Sequence, residues 1–389
     1  MIKIKPYTER VNRDEIFRLY LNMAAYVMPF YLEDIFPDGL FYPDGNQSRS
    51  ICCFNRHPRK RTEKYKQILR TYHIADGPTI SDRRKADALL AEEIIRKYSE
   101  VLHRFLYDGS SGDGHVVPEN LRILLTTPSD EKGIEQSGLK QVFEHAMDVS
   151  KEAKADLSEY VFRYEAFANQ EGINCFVSLL GIDVCPYCNR LYTTAVARNP
   201  SAFPVRPALD HYRSKSFYPF LALSILNLVP CCSVCNHIKG NRKEALIYPY
   251  TEEMGTKYVF RTQPKEGISY LTGSCVSIKD FSIIFTEKQT VDPVKREHIT
   301  NSISILQLEA LYNSHRDYAS SLMLQRYVFT AEMISELKKQ FPDLFHDESE
   351  IRNMLYLMDV SHENWAKHPL SKLTHDIAEE LDELYGDSR

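Results

Sequence analysis

The sequence predicts an α+β protein: mostly helical flanking regions around a central segment closed by a four-cysteine zinc site. Three observations lead there. Apolar residues recur at helical spacing through both ends of the chain, as Leu90, Ile94, Tyr98, Val101 and Phe105 do near one end and Leu308, Leu311, Tyr312, Ala319, Leu322 and Met323 near the other. Six of the nine cysteines crowd into residues 171–250. Between Lys257 and Thr286 the pattern changes to β-branched and aromatic alternation, KYVF, ISYL and VSIKDFSIIF.

Four segments follow in order. Residues 1–170 read as a helical N-terminal region. Ser81 offers a cap for the first strong helix, Asp108–Gly114 (DGSSGDG) a flexible break, and Leu139–Ala168 one or two further amphipathic helices. Residues 171–250 hold the cysteines and many turn residues. Residues 251–295 form a short β-rich segment, and 296–389 return to helix. The tail from Ser371 carries six acids against two bases and reads as a solvated amphipathic helix.

Composition narrows the function. With 389 residues the chain is long enough for two or three domains. Its 43% hydrophobic and 26% charged residues are ordinary for a globular protein, and 15 Gly with 19 Pro exclude collagen-like or long disordered architectures. Met1–Arg10 lacks the apolar stretch of a signal peptide. The most apolar run, Tyr218–Pro230, is too short to span a bilayer and contains Asn227. These features read as a cytoplasmic protein without a membrane partner, so the cysteines need a role other than disulfides.

Cys185-Pro-Tyr-Cys188 and Cys232-Ser-Val-Cys235 supply that role. Each Cys-x-x-Cys turn aims two thiolates at one point, and two turns complete a tetrahedral shell suited to structural Zn²⁺. Only Cys232 keeps the two-residue gap to Cys235, so Cys231 stays out of the set. Cys52, Cys53, Cys175 and Cys275 have no partner spacing and read as small buried hydrophobes.

Between and after the knuckles stand Asp210-His211, Asn227-Leu228 and Cys235-Asn236-x-x-Lys239. The net charge is −5, yet residues 185–245 hold eight basic side chains against two acids, a net of +6. A basic island in an acidic protein suits a phosphate-binding face, with Arg213, Lys215, Lys239, Arg242 and Lys243 as candidate nucleic-acid contacts. A second basic stretch, Arg56–Arg70, counts seven bases against one acid. It reads equally as an exposed helix face or a nucleic-acid contact.

In that order the motifs resemble the HNH endonucleases, whose ββα-metal core is two strands followed by a helix. They are most similar to the cysteine-bearing HNH effectors of bacterial anti-phage systems, the PtuB type of Septu and retron systems. The resemblance covers roughly residues 181–245. Asn236 stands where many members have His, and Ser214 where a proline is common. It implies that His211 is the general base, that Asp210 and Asn236 hold a catalytic Mg²⁺ or Mn²⁺, and that Asn227 ties the loop so that His211 faces the phosphate. The substrate it implies is DNA, and the setting a phage-defence effector restrained by a regulatory ATPase. An imidazole near its ordinary pKa suits a base at neutral pH. Hard oxygen ligands suit Mg²⁺. Neighbouring helical residues diverge by about 100°, so Asn236 and His237 compete for one ligand position. Asp210 and His211, adjacent on a strand, are expected on opposite faces, which leaves their convergence on one phosphate open. The alternative is a zinc-ribbon binding or scaffold protein without catalysis. A thiol redox protein using Cys-Pro-Tyr-Cys is a third reading.

Overall fold

The computed structural model describes residues 2–4, 13–36, 62–108, 112–170, 172–196, 205–265 and 281–385. Cys52, Cys53, Arg198, Cys275 and the first part of the Arg56–Arg70 stretch lie outside them. Among the described residues helices dominate, with two two-stranded antiparallel sheets, so the α+β expectation holds. Buried side chains from all four sequence segments join one contiguous core. Ile334, Phe345 and Ile351 form a small separate cluster near the C-terminal end.

The helical region departs from expectation in detail. The helix Ile80–Tyr98, which follows the 15-residue helix Arg13–Val27, is capped by Thr79, not Ser81: Thr79 and Asp82 bond each other's backbone amides in a reciprocal box. Ser99 breaks the apolar stripe by capping a new helix, Glu100–Tyr107. The DGSSGDG break is anchored where it is described. Buried Glu92 accepts from the Gly112 and Gly114 amides at 2.9 and 3.1 Å. Residues 139–168 form three short helices, Lys140–Ala146, Lys151–Asp156 and Tyr164–Ala168, with a π-helical turn Leu157–Val161 between the last two.

In the cysteine segment, β1 (Ala208–His211) pairs antiparallel with β2 (Leu228–Cys231), Asp210 opposite Val229 and His211 opposite Leu228. The helix Ser233–Lys239 follows β2 directly and packs on β1. Four-residue strands cannot stand alone, and tyrosines from elsewhere brace them. Tyr164 donates to the Leu209 carbonyl, Tyr250 to Leu228 and Tyr248 to Leu226.

The second sheet pairs β3 (Tyr258–Pro264) with β4 (Phe281–Glu287). Its two edges are covered by helical side chains. Phe260 and Thr262 donate their amides to Asp376 and Glu380 of the helix Ser371–Tyr385. On the other edge Ile283 and Phe285 donate to Asn313 and Glu309 of the helix Leu308–Asn313, at 3.0 and 3.5 Å. The match is geometric: an i,i+4 step on a helix rises about 6 Å, close to the advance of two residues along a strand, about 6.6 Å. The tail helix is therefore not solvated. Ser371, Lys372, Leu373, Thr374, Asp376, Ile377 and Glu380 are all buried. Among the described residues no helix is long and apolar enough to cross a membrane.

Candidate active site and cysteine centre

Cys185, Cys188, Cys232 and Cys235 bring their sulfurs within 4.8 Å of one another, all buried. The Cys188 and Cys232 sulfurs are 3.9 Å apart. Tetrahedral zinc with Zn–S bonds of about 2.3 Å separates its sulfurs by about 3.8 Å, so the set fits a structural zinc ion. Backbone amides of Arg190 and Cys235 point at the Cys188 and Cys232 sulfurs, each at 3.4 Å, which favours thiolates there. Burial pushes the Cys185 thiol up, while bonds from the three companion cysteines hold Cys232 down. The register argument holds: Cys231 is buried but outside the set. Cys175, expected inside, is exposed. It occupies the outward face of the helix Ile173–Leu179.

The knuckles do more than clamp. Tyr187, inside the first, donates its hydroxyl to Asp210 Oδ2 at 2.7 Å. Lys239, one helical turn after Cys235, reaches Asp210 at 3.0 Å and the His211 carbonyl at 2.7 Å. Lys239 is only 2% exposed. The expectation of a phosphate contact is thereby corrected: the i,i+4 spacing from buried Cys235 turns its side chain inward. Tyr187 went unnoticed in the sequence, although its place between two ligand cysteines was the available signal.

β1 sends its two polar side chains to different neighbours, as strand alternation requires. Asp210 meets the tyrosine and lysine of the knuckles. His211 packs edge-on against the Tyr164 ring, 4.3 Å between centroids, and its Nε2 lies 3.0 Å from the Ala222 carbonyl. A carbonyl only accepts, so Nε2 carries the proton and Nδ1 the lone pair. Burial pushes the His211 pKa down to about 3, so the fold holds the imidazole neutral but makes it a weaker base than the ordinary value expected from sequence would give.

Asn227 plays the tying part. Its Oδ1 accepts from the Arg213 amide at 2.8 Å, and its Nδ2 donates to the Arg213 and Leu221 carbonyls. It thus locks both ends of the β1–β2 connection. Asn236 is half-buried and His237 exposed on the helix Ser233–Lys239. The hard-cation pair does not fit as the side chains stand: the Asp210 carboxylate is already neutralised by Lys239 and bonded by Tyr187.

The basic island is divided rather than continuous. Arg242 and Lys243 are exposed. Arg213 donates to the Ser129 carbonyl, Lys215 pairs with Glu165, and Arg190 bonds His315. Comparison with family models, with curated proteins and with solved structures finds no match to this chain.

Proposed function

We propose that the chain is an HNH-type endonuclease that hydrolyses DNA phosphodiester bonds, with His211 as the base that takes a proton from the attacking water. The observation that carries this reading is the His211–Ala222 bond, which fixes the ring and leaves Nδ1 as the acceptor. Two supports stand beside it. A two-stranded hairpin and a helix, closed by four cysteines, occur in the order the resemblance implies. Asn227 holds the intervening loop as that order requires. Zn²⁺ is proposed in the cysteine centre, with a structural part only. No step is assigned to a divalent ion at Asp210, because Lys239 occupies that carboxylate. The resemblance alone carries the biological setting, a cytoplasmic effector of phage defence restrained by an ATPase partner.

A plasmid-nicking assay, with and without added Mg²⁺ or Mn²⁺, tests the reading. His211→Ala should lower the nicking rate at least about a hundredfold, the usual range for a lost general base, while zinc content stays at one per chain. Unchanged nicking by that variant overturns the assignment.

A second reading has its own observation. Asp210 neutralised by Lys239 and His211 buried against the Tyr164 ring is what a zinc-stapled scaffold would also use. It predicts no nicking under any metal condition, with zinc and fold intact.

A further inference from the structure

Beside His211 lies a cleft of about 550 Å³. One wall is the π-helical turn Leu157–Val161 with Ala155 and Tyr164; the other is the loop carrying Lys215, Ser216 and Ala222. Two of these residues touch His211 directly: Tyr164 through its ring and Ala222 through its carbonyl. π-Helical turns widen the backbone and recur at functional sites. The volume lies in the range of pockets that take a small organic group.

The lining says what kind of group. Glu159 and Glu165 balance Arg163 and Lys215 in the lining, so the walls carry no net charge and do not select a phosphate. Tyr164, Ala155 and Ala166 supply the accessible apolar surface, with Phe162 and Ala222 buried behind it, and the serines and carboxylates supply acceptors. That combination suits a neutral, flat ring bearing N–H donors. Both carboxylates are ion-paired. Lys64, from the second basic stretch, pairs with Glu159 at 2.7 Å, and Lys215 pairs with Glu165. A base-paired duplex presents no base to a cleft of this kind, because its target must first leave the stack.

Resting on the nuclease reading, we infer that the cleft receives an unpaired nucleobase beside the scissile phosphate, so that the substrate is single-stranded or locally opened nucleic acid. Free nucleotides share the same base chemistry, and the test separates the two sources.

The experiment measures binding of a fluorescent 12-nucleotide single strand to the full chain, without added divalent ion, against the same strand annealed to its complement. The single strand should bind at least about tenfold tighter, in line with what one base–protein stacking contact contributes. Ala155→Trp and Ser216→Trp fill the cleft from opposite walls at exposed positions. Each should lower single-strand affinity about tenfold toward the duplex value, with circular dichroism and zinc content unchanged. Equal binding of duplex and single strand overturns the inference, as does unchanged single-strand binding in both filled variants. Adenosine monophosphate that binds as tightly as the oligonucleotide also overturns it, in favour of a free nucleotide. Robust nicking with no effect of filling would leave the nuclease reading standing and remove the cleft. Loss of single-strand preference on filling, in a protein that cuts nothing, would do the reverse.

Discussion

The two small sheets solve one problem in two ways. A two-stranded sheet has two open edges and too little buried surface to persist alone. The hairpin β1–β2, only four residues per strand, is clamped by sulfur: the cysteines bracket it, and the clamp carries Tyr187 and Lys239 to Asp210. The pair β3–β4, seven residues per strand, is clamped by helices whose i,i+4 side chains accept from its edge amides. Each region also buries a lysine–aspartate pair, Lys239–Asp210 in one and Lys372–Asp376 in the other. The first pair joins elements distant in sequence and depends on the cysteine centre. The second lies within one helical turn, with the Lys372 ammonium 4.6 Å from the Trp365 ring and bonded to the Gly255 carbonyl. A clamp made of metal ligands can be lost in one event; a clamp made of hydrogen bonds is lost piecemeal.

The largest expected effect follows from that contrast. Cys235→Ser should abolish stoichiometric zinc, whose binding supplies on the order of 10 kcal/mol to such centres. Hydrogen exchange should then accelerate throughout β1–β2 far more than in β3–β4. Equal acceleration in both sheets would erase the distinction.

Next in size are the buried pairs. Removing one partner leaves an unpaired charge, at a cost of about 3–5 kcal/mol. Lys239→Met and Lys372→Met should both fall in that range by urea denaturation. Only the Lys239 change should also weaken zinc retention against a chelator, because only that lysine sits on the knuckle helix.

A pH effect should belong to the second sheet. Burial pushes the Glu380 carboxyl up to about 7 from its ordinary 4.5, against the Thr262 amide it accepts from. A raised folded pKa means the folded state holds the proton more tightly. Its stabilising contribution is full below about 4.5 and is lost as pH rises through 7, by up to about 3 kcal/mol. Thermal unfolding at pH 5 and 8 should show this slope, and Glu380→Gln should flatten it.

The smallest effect tests how the regions are joined. Asn189, just past the first knuckle, is fully buried with φ +53°. Its side chain bonds the Trp365 carbonyl and the Lys372 amide. Asn189→Gly keeps the backbone conformation and loses those bonds, about 1–3 kcal/mol. Its unfolding transition should broaden or split. A sharp single transition at wild-type stability would mean the junction carries no coupling.

The same contrast explains what could be read in advance. Cysteine spacing is a local pattern with one chemical meaning, so the centre and the exclusion of Cys231 were visible. The tying part of Asn227 came from the resemblance, and its burial and bonds to backbone agree with it. The helical clamps were not: Asp376 and Glu380 look like the wet face of an acidic helix, since nothing in their spacing says a strand edge lies opposite. Lys239 misled for a related reason, because lysine is rarely buried. Its spacing from Cys235 outweighed its type. The π-helical turn and the break at Ser99 escaped because apolar periodicity runs across both.

The four-residue ladder between β1 and β2 has one last consequence. Sliding it by a single step would exchange the two sides of the ribbon. An imidazole would then meet an ammonium, and a carboxylate would lie against an aromatic ring. Misalignment is thus punished twice at once, and this short hairpin carries its own check on correct threading.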